Sequence, residues 1–322
     1  MTADPPLEFL VITGQTVSGK ERAALEVAAA LGGEIVSMDS MKVYRGMVIG
    51  TAAPDAAARE RVPHHLLGVA DPSEPFSTAR WAALAEAAMA DIAARGHVPV
   101  VSGGTVLYLK ALLYGLFEGP SADAALRRRL HDEARAGGSA ALHRRLQAID
   151  PAAAARIHPN DERRIVRALE VHELTGRPIS ELQAQFGQVR GRLAPLVVAL
   201  RRTRDDLRRR IDQRVDRMMA AGLEDEVRRL LARPEGLGRE ARQAVGYREM
   251  IDLAEGRLTR EQAVAELKKN TAAFAKRQMT HLRSLEMRVW LDVAPQETAA
   301  AVAERIVALW RGHVGGDGGA RA

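Results

Sequence analysis

The stretch Leu10-Val11-Ile12-Thr13-Gly14-Gln15-Thr16-Val17-Ser18-Gly19-Lys20 decides how this 322-residue chain is read. Phe9–Thr13 is an apolar run of strand length, and a helical pattern, Arg22–Leu31, follows the glycines. Strand, G-x-x-x-x-G-K, helix is the arrangement that cradles phosphate. The glycines let backbone N–H groups close around an anion. The helix N-terminus adds partial positive charge, and the lysine reaches terminal oxygens. A diphosphate or triphosphate is the expected ligand of Gly14, Gln15, Thr16, Val17, Ser18, Gly19, Lys20 and Glu21. Glu21 breaks the pattern, because Ser or Thr usually stands there to offer Mg²⁺ a hydroxyl. A carboxylate beside a phosphate repels it unless a metal intervenes, so Glu21 is expected to bind Mg²⁺ or to point away.

Outward from this loop, strands and helices alternate: Glu34–Met38, the helix Ala79–Arg95, then Val98–Ser102. That alternation predicts an α/β fold, a parallel sheet flanked by helices. Pro99 places its strand's start there, or the strand at an edge. Ser121–Glu181 reads as helical, interrupted at Gly137-Gly138 and Asp150-Pro151, and Gly176 ends one helix. Leu196–Leu200 returns to the sheet. The remainder reads as helical, with a long basic helix over Arg260–Leu285 and a glycine-rich, disordered tail from Gly315. The expected division is a P-loop NTPase-like core over 1–121 and 193–314, a helical insertion over 122–192 and a tail over 315–322.

Composition narrows the chemistry. The chain has no cysteine, which excludes disulfides, thiolate metal sites and a cysteine nucleophile and suits a reducing cytoplasm. No apolar run reaches the roughly 20 residues of a membrane span, and Met1–Pro6 has neither the basic nor the apolar part of a signal peptide. The net charge of +6 suits a polyanionic partner, although evenly spread charge is the plainer explanation.

Strand ends carry the remaining candidates, since ligands bind at the C-terminal ends of parallel strands. Asp39, after the second strand, is a metal ligand, hydrogen-bond acceptor or general base, or else a helix N-cap. The next strand ends in Ser102-Gly103-Gly104-Thr105, where an ordinary P-loop NTPase would place an aspartate for Mg²⁺. Small residues there suggest close approach by another molecule's backbone or by a diphosphate, or simply a tight turn. His64-His65 lacks a third metal ligand by spacing, and a hydrogen-bonding role suits it better. Arg202 and its neighbours after the fourth strand read as a solvated, salt-bridged face. Arg214 stands apart because it adjoins an apolar stripe and could clamp a diphosphate.

Seven segments, GQTVSGK, DSMKVYRGMVIGTA, VPHHLLGV, GGTVLYLKALLYGL, HPNDERRIVRALEVHELTG, AVGYREMI and FAKRQMTHLR, together resemble the tRNA dimethylallyltransferase (isopentenyltransferase) family in its own order. The resemblance implies transfer of a dimethylallyl group from dimethylallyl diphosphate to the N6 amine of the adenosine 3′ of the anticodon, with Mg²⁺, by a monomer. It implies a base flipped out of its stack, with the tRNA anticodon stem-loop and the diphosphate entering a central channel from opposite ends. Asp39 matches the proton acceptor, Thr16 and Arg214 the catalytic support, and the loop 14–21 the diphosphate cradle. Asp39, Ser40, Met41, Lys42, Thr105, Arg127, Arg163, Arg164 and Arg167 match positions near tRNA. Against the family's usual G-P-T-A-S-G-K followed by Thr or Ser, this chain has Gln15, Val17 and Glu21. Lys42 replaces a usual Gln, with consequences for base selectivity if that glutamine reads the adenine edge, since lysine donates but does not accept. His281 and Leu282 replace aromatic residues. Reduced activity is the expectation. A small-molecule kinase, an isopentenyltransferase acting on free adenine nucleotides and a tRNA-binding homologue with decayed chemistry are the rival readings.

Overall fold

The computed structural model describes residues 6–115, 119–120, 123–183, 189–286 and 288–315. The chain forms two compact units, residues 1–112 with 191–322, and residues 113–190.

In the first unit, β1 (Leu7–Gly14), β2 (Glu34–Ser37), β3 (His64–His65), β4 (Pro99–Gly103), β5 (Leu193–Arg201) and β6 (Arg288–Asp292) form one sheet in the order β3-β2-β4-β1-β5-β6. Every pairing is parallel. β1 lies between β4 and β5, with Leu10 level with Val100 on one side and Leu196 on the other. A strand covered on both faces needs a continuous apolar run, which is why Phe9–Ile12 shows no alternation. Leu10 and Ile12 turn one way, into a core with Ala23, Val27, Ile306 and Trp310 from the helices Lys20–Leu31 and Ala299–Gly315. The helix Thr78–Ala94 supplies Trp81, whose Nε1 donates to Ser37 O at 3.0 Å and whose ring stacks on Tyr108.

Pro99 is the first residue of β4, as its missing N–H requires, but the strand is internal, not an edge. Two strands escape a reading of the sequence. β3 has only two residues, and β6 occupies a stretch expected to be helical. β6 is the sheet's far edge beside β5. There the guanidinium groups of Arg201 and Arg288 lie 5.3 and 5.0 Å from the centre of the Trp290 ring. Gly315 closes the last helix; the rest of the expected tail, residues 316–322, lies outside the described residues.

The second unit is helical, with no strand among its described residues. Leu130, Leu142, Leu146, Ile165 and Leu169 are buried together. They come from three helices, Ala124–Gly137, Ser139–Ile149 and Glu162–Thr175. Gly138 separates the first two, and Gly176 (φ 68°) caps the third in the left-handed conformation. Asp150 is buried and caps the short helix Pro151–Arg156, accepting from Ala153 N and Ser180 N, each at 2.9 Å.

Candidate active site

A parallel sheet delivers all its C-terminal strand ends to one edge. Gly14 of β1, Ser37 of β2, Gly103 of β4 and Arg201 of β5 therefore bring the phosphate loop, Asp39, Thr105 and Arg202 to the same edge.

The loop from Gly14 to Lys20 is tightly held. A Cβ on Gly14 would stand 2.8 Å from Ser18 Oγ and 2.9 Å from Leu200 O, so only glycine fits there. Gly19 (φ 98°) starts the helix that Lys20 begins. Val17 has φ 58°, a left-handed conformation that a β-branched residue adopts only under constraint. Three side chains supply that constraint, two of them remote in sequence and one from the loop itself. Gln278 accepts from Thr16 N at 2.7 Å and donates to Gly104 O at 3.1 Å. Gln15 Nε2 donates to Ala275 O at 2.9 Å. Arg202 donates through Nε to Ser18 O at 2.7 Å and through NH1 to Asp206 at 2.9 Å. Arg202 is therefore a buried brace and not part of a solvated face.

Lys20 is buried, and its ammonium reaches only Gln15 O, at 3.4 Å, among the described residues. Burial pushes it below the ordinary lysine range, while Glu21 and Asp39 oppose the shift. A buried ammonium without a carboxylate at contact distance is costly on its own and favours an arriving anion. Ser18 Oγ, also buried, has no hydrogen-bond partner among the described residues. Arg214, on the helix Arg204–Ala220, places NH1 3.4 Å from Thr16 Oγ1 and NH2 3.3 Å from Thr51 O. Its burial also lowers its pKa, against Glu21 and Asp39. A cavity of about 860 Å³ opens beside the loop, and Val17, Gly19, Lys20, Glu21 and Arg214 line it together with Val48 and Ile49.

Val48 and Ile49 are fixed from below by Glu226. Its carboxylate accepts from Val48 N at 3.1 Å, Ile49 N at 2.8 Å and Gly50 N at 3.2 Å, and from Tyr247 Oη at 2.7 Å. Glu226 carries no local sequence signal, and Gln278 stands in the segment FAKRQMTHLR with nothing there to show its partners. Each is one polar residue in a helix whose partners lie far away along the chain.

Asp39 does not line the cavity, but its charge reaches both Lys20 and Arg214. Its Oδ1 accepts from Met41 N at 2.8 Å and Lys42 N at 3.3 Å, so the carboxylate is held by its own turn. Thr105 Oγ1 accepts from Ser40 N at 3.1 Å, joining the β2 and β4 ends. The small residues before Thr105 serve the chain itself. A Cβ on Gly103 would stand 2.0 Å from Met38 O, and one on Gly104 2.3 Å from Gln278 Nε2. The close approach expected at Gly103-Gly104 is thus made by Met38 and Gln278.

Lys42 is engaged within the chain. The side chain is almost wholly buried, and Nζ lies 3.0 Å from Glu21 Oε2. Glu21 neither stands alone nor turns away. Burial pushes its carboxyl up, but Lys42, then Lys20 and Arg214, hold it below the usual carboxylate range. Leu282 is fully buried, so that position packs in the core and offers no stacking surface. His65 Nε2 lies 2.7 Å from Glu34 Oε2, and His64 Nδ1 lies 2.8 Å from Val62 O.

The helical unit holds its own group. Glu170 is fully buried and accepts from Arg127 Nε at 2.8 Å, Arg127 NH2 at 2.9 Å, Arg167 NH1 at 2.6 Å and Asp123 N at 2.9 Å. Arg163 and Arg164 are exposed on the same helix, and Arg164 pairs with Asp161.

Residues 42–285 match the model of the IPP transferase family. The chain belongs to that family. It is 46% identical over 292 residues to tRNA dimethylallyltransferase 1 of Pelobacter propionicus, covering 91% of this chain and 94% of that one. To the tRNA dimethylallyltransferase of Symbiobacterium thermophilum it is 47% identical over 307 residues, 95% of each chain. Among solved structures, the tRNA isopentenylpyrophosphate transferase of Bacillus halodurans matches with a TM-score of 0.71 at 37% identity, covering 96% of this chain and 97% of the other. A eukaryotic dimethylallyltransferase acting on tRNA matches with a TM-score of 0.80 at 26% identity, covering 96% and 79%. The helices of this IPP transferase family member include none long and apolar enough to cross a membrane, among the described residues.

Proposed function

We propose that this chain transfers a dimethylallyl group from dimethylallyl diphosphate to the N6 amine of the adenosine 3′-adjacent to the anticodon of tRNA. The observation that carries the proposal is the union of two groups at one sheet edge. One is a phosphate loop with a buried lysine that no carboxylate touches among the described residues; the other is an aspartate fixed by its own turn.

The amine lone pair forms the bond to C1 of the dimethylallyl group as the C1–O bond breaks. The bonding pair leaves with the diphosphate, and an N6 proton passes to the Asp39 carboxylate. An aryl amine is a poor nucleophile, so an aligned acceptor matters. With Oδ1 held by Met41 N and Lys42 N, the carboxylate presents Oδ2 in a fixed direction. Charge grows on the leaving diphosphate. Lys20, Arg214, the loop N–H groups and the orphaned Ser18 hydroxyl answer it where they already stand, with little reorganisation. Thr16 orients Arg214 through its hydroxyl.

Mg²⁺ is proposed to accompany the diphosphate, whose charge it would draw off. The donor chemistry here fits: Glu21 is a hard oxygen ligand that lines the cavity and is 43% exposed. In the helical unit, Arg127, Arg163, Arg164 and Arg167 are proposed to meet tRNA phosphates, with Glu170 holding Arg127 and Arg167 in place. The segment Asp39–Lys42 and Thr105 are proposed to meet the base.

Labelled dimethylallyl diphosphate, Mg²⁺ and tRNA lacking the modification test this directly. Label is expected in the adenosine beside the anticodon. Asp39→Ala is expected to slow transfer about 10²–10⁴-fold, a far larger effect than any weakening of tRNA binding. Tight tRNA binding with no label from the unaltered chain would instead establish a binding protein.

A further inference from the structure

Two of this chain's departures from the family's usual residues touch each other. Glu21 stands where a hydroxyl is usual, Lys42 where an amide is usual, and their side chains form an ion pair at 3.0 Å. Either change alone would be unfavourable. A lone carboxylate would repel an incoming diphosphate from the helix start, and a lone ammonium at Lys42, which is 5% exposed, would be a buried charge without a partner. Together they cancel. The pair also spans two parts of the site, because the Lys42 main chain donates to Asp39 while its ammonium holds the first turn of the loop helix.

We propose that Lys42 is the resident counter-cation of Glu21 and competes with Mg²⁺ for its carboxylate, so that Lys42 sets how much Mg²⁺ the diphosphate site requires. The proposal rests on the reading of the cavity as a diphosphate site. Three observations support it. Glu21 lines the cavity and is part-exposed, so an ion arriving with the diphosphate can reach it. Lys42 approaches from the buried side, so its ammonium leaves the cavity face of the carboxylate open. A carboxylate is a stronger ligand for Mg²⁺ than the usual hydroxyl, and its ammonium partner tempers that gain. Lys42 is a positioning residue in this scheme, because it acts through Glu21.

The experiment measures binding of inorganic diphosphate by calorimetry across a series of Mg²⁺ concentrations. It uses the full chain, Lys42→Gln, Glu21→Thr and the double variant, which carry residues the family ordinarily has. Lys42→Gln is expected to lower the Mg²⁺ midpoint about tenfold, the scale seen when a group touching a metal ligand is altered. Glu21→Thr is expected to raise it by a similar factor of about ten, and the double variant to follow Glu21→Thr. An unchanged or raised midpoint in Lys42→Gln overturns the proposal. So does a double variant that follows Lys42→Gln, or diphosphate binding by the unaltered chain that does not depend on Mg²⁺. The probe carries neither isoprenoid nor tRNA, so a failure of dimethylallyl transfer leaves this result readable, and the converse also holds.

Discussion

Glu170 in the helical unit and Glu21 in the sheet unit are both carboxylates placed among cations, yet they are used in opposite ways. Glu170 is fully buried and its oxygens are occupied by two arginines and the N–H of Asp123. Burial pushes its carboxyl up, and Arg127 and Arg167 more than reverse that. Glu21 has a single ammonium on one oxygen and an open face toward the cavity. A saturated carboxylate fixes the groups around it. An unsaturated one keeps capacity for a ligand.

The widest gap should appear in stability. Glu170→Ala removes the acceptor shared by Arg127 Nε and NH2, Arg167 NH1 and Asp123 N, and breaking an ion-pair cluster built on a fully buried carboxylate costs about 3–5 kcal/mol. Urea unfolding is expected to show that loss, together with a raised KM for tRNA. A loss below about 1 kcal/mol would break the comparison, since that is the range of solvent-exposed pairs.

Acid provides a second, smaller test on another saturated carboxylate. Hydrogen bonds from Arg95, outweighing burial and joined by His65 and His97, hold Glu34 at about 2 in the folded chain. Its usual value is 4.5, so the folded value is the lower one. The stabilisation is therefore complete above the unfolded value and disappears as pH falls toward 2, removing up to about 3 kcal/mol. Unfolding free energies measured between pH 6 and 3 (roughly the window spanning the ordinary carboxylate range) should decline more steeply in the unaltered chain than in Glu34→Gln. Equal slopes would remove Glu34 from the saturated class.

The smallest effect is expected from Glu21→Thr combined with Lys42→Gln, which removes both charges and leaves neither unpaired. The Glu21 carboxylate is partly in solvent, so the stability loss should stay near or below about 1 kcal/mol, the ordinary scale of exposed pairs. A loss as large as that of Glu170→Ala would make the two carboxylates equivalent and end the contrast.

What could be read from the sequence follows the range of the interactions. The strand, loop and helix around Lys20 are contiguous, so their geometry is written locally, and Gly14 and Gly19 stand where backbone crowding and a left-handed φ demand glycine. Arg214 was visible because it adjoins Val215 on an apolar stripe. β6 was not, because five residues with charged ends give little signal, and its strand form depends on pairing with β5. Arg202 looked like one more arginine in a charged run until Ser18 and Asp206 folded around it. The meaning of Glu21 and Lys42 was hidden for a related reason. Each looked like a defect alone, and only the fold places them 3.0 Å apart.

Gln278 has a consequence for dimension. One end of its amide holds Thr16 N in the phosphate loop, and the other holds Gly104 O, one residue before Thr105 at the β4 end. The distance between these two strand ends is thus calibrated by a single planar group on a rigid helix. An asparagine, one methylene shorter, could not touch both without dragging the helix inward. The chain carries a spacer of fixed length, and the gap in which two molecules must meet is cut to that gauge before either arrives.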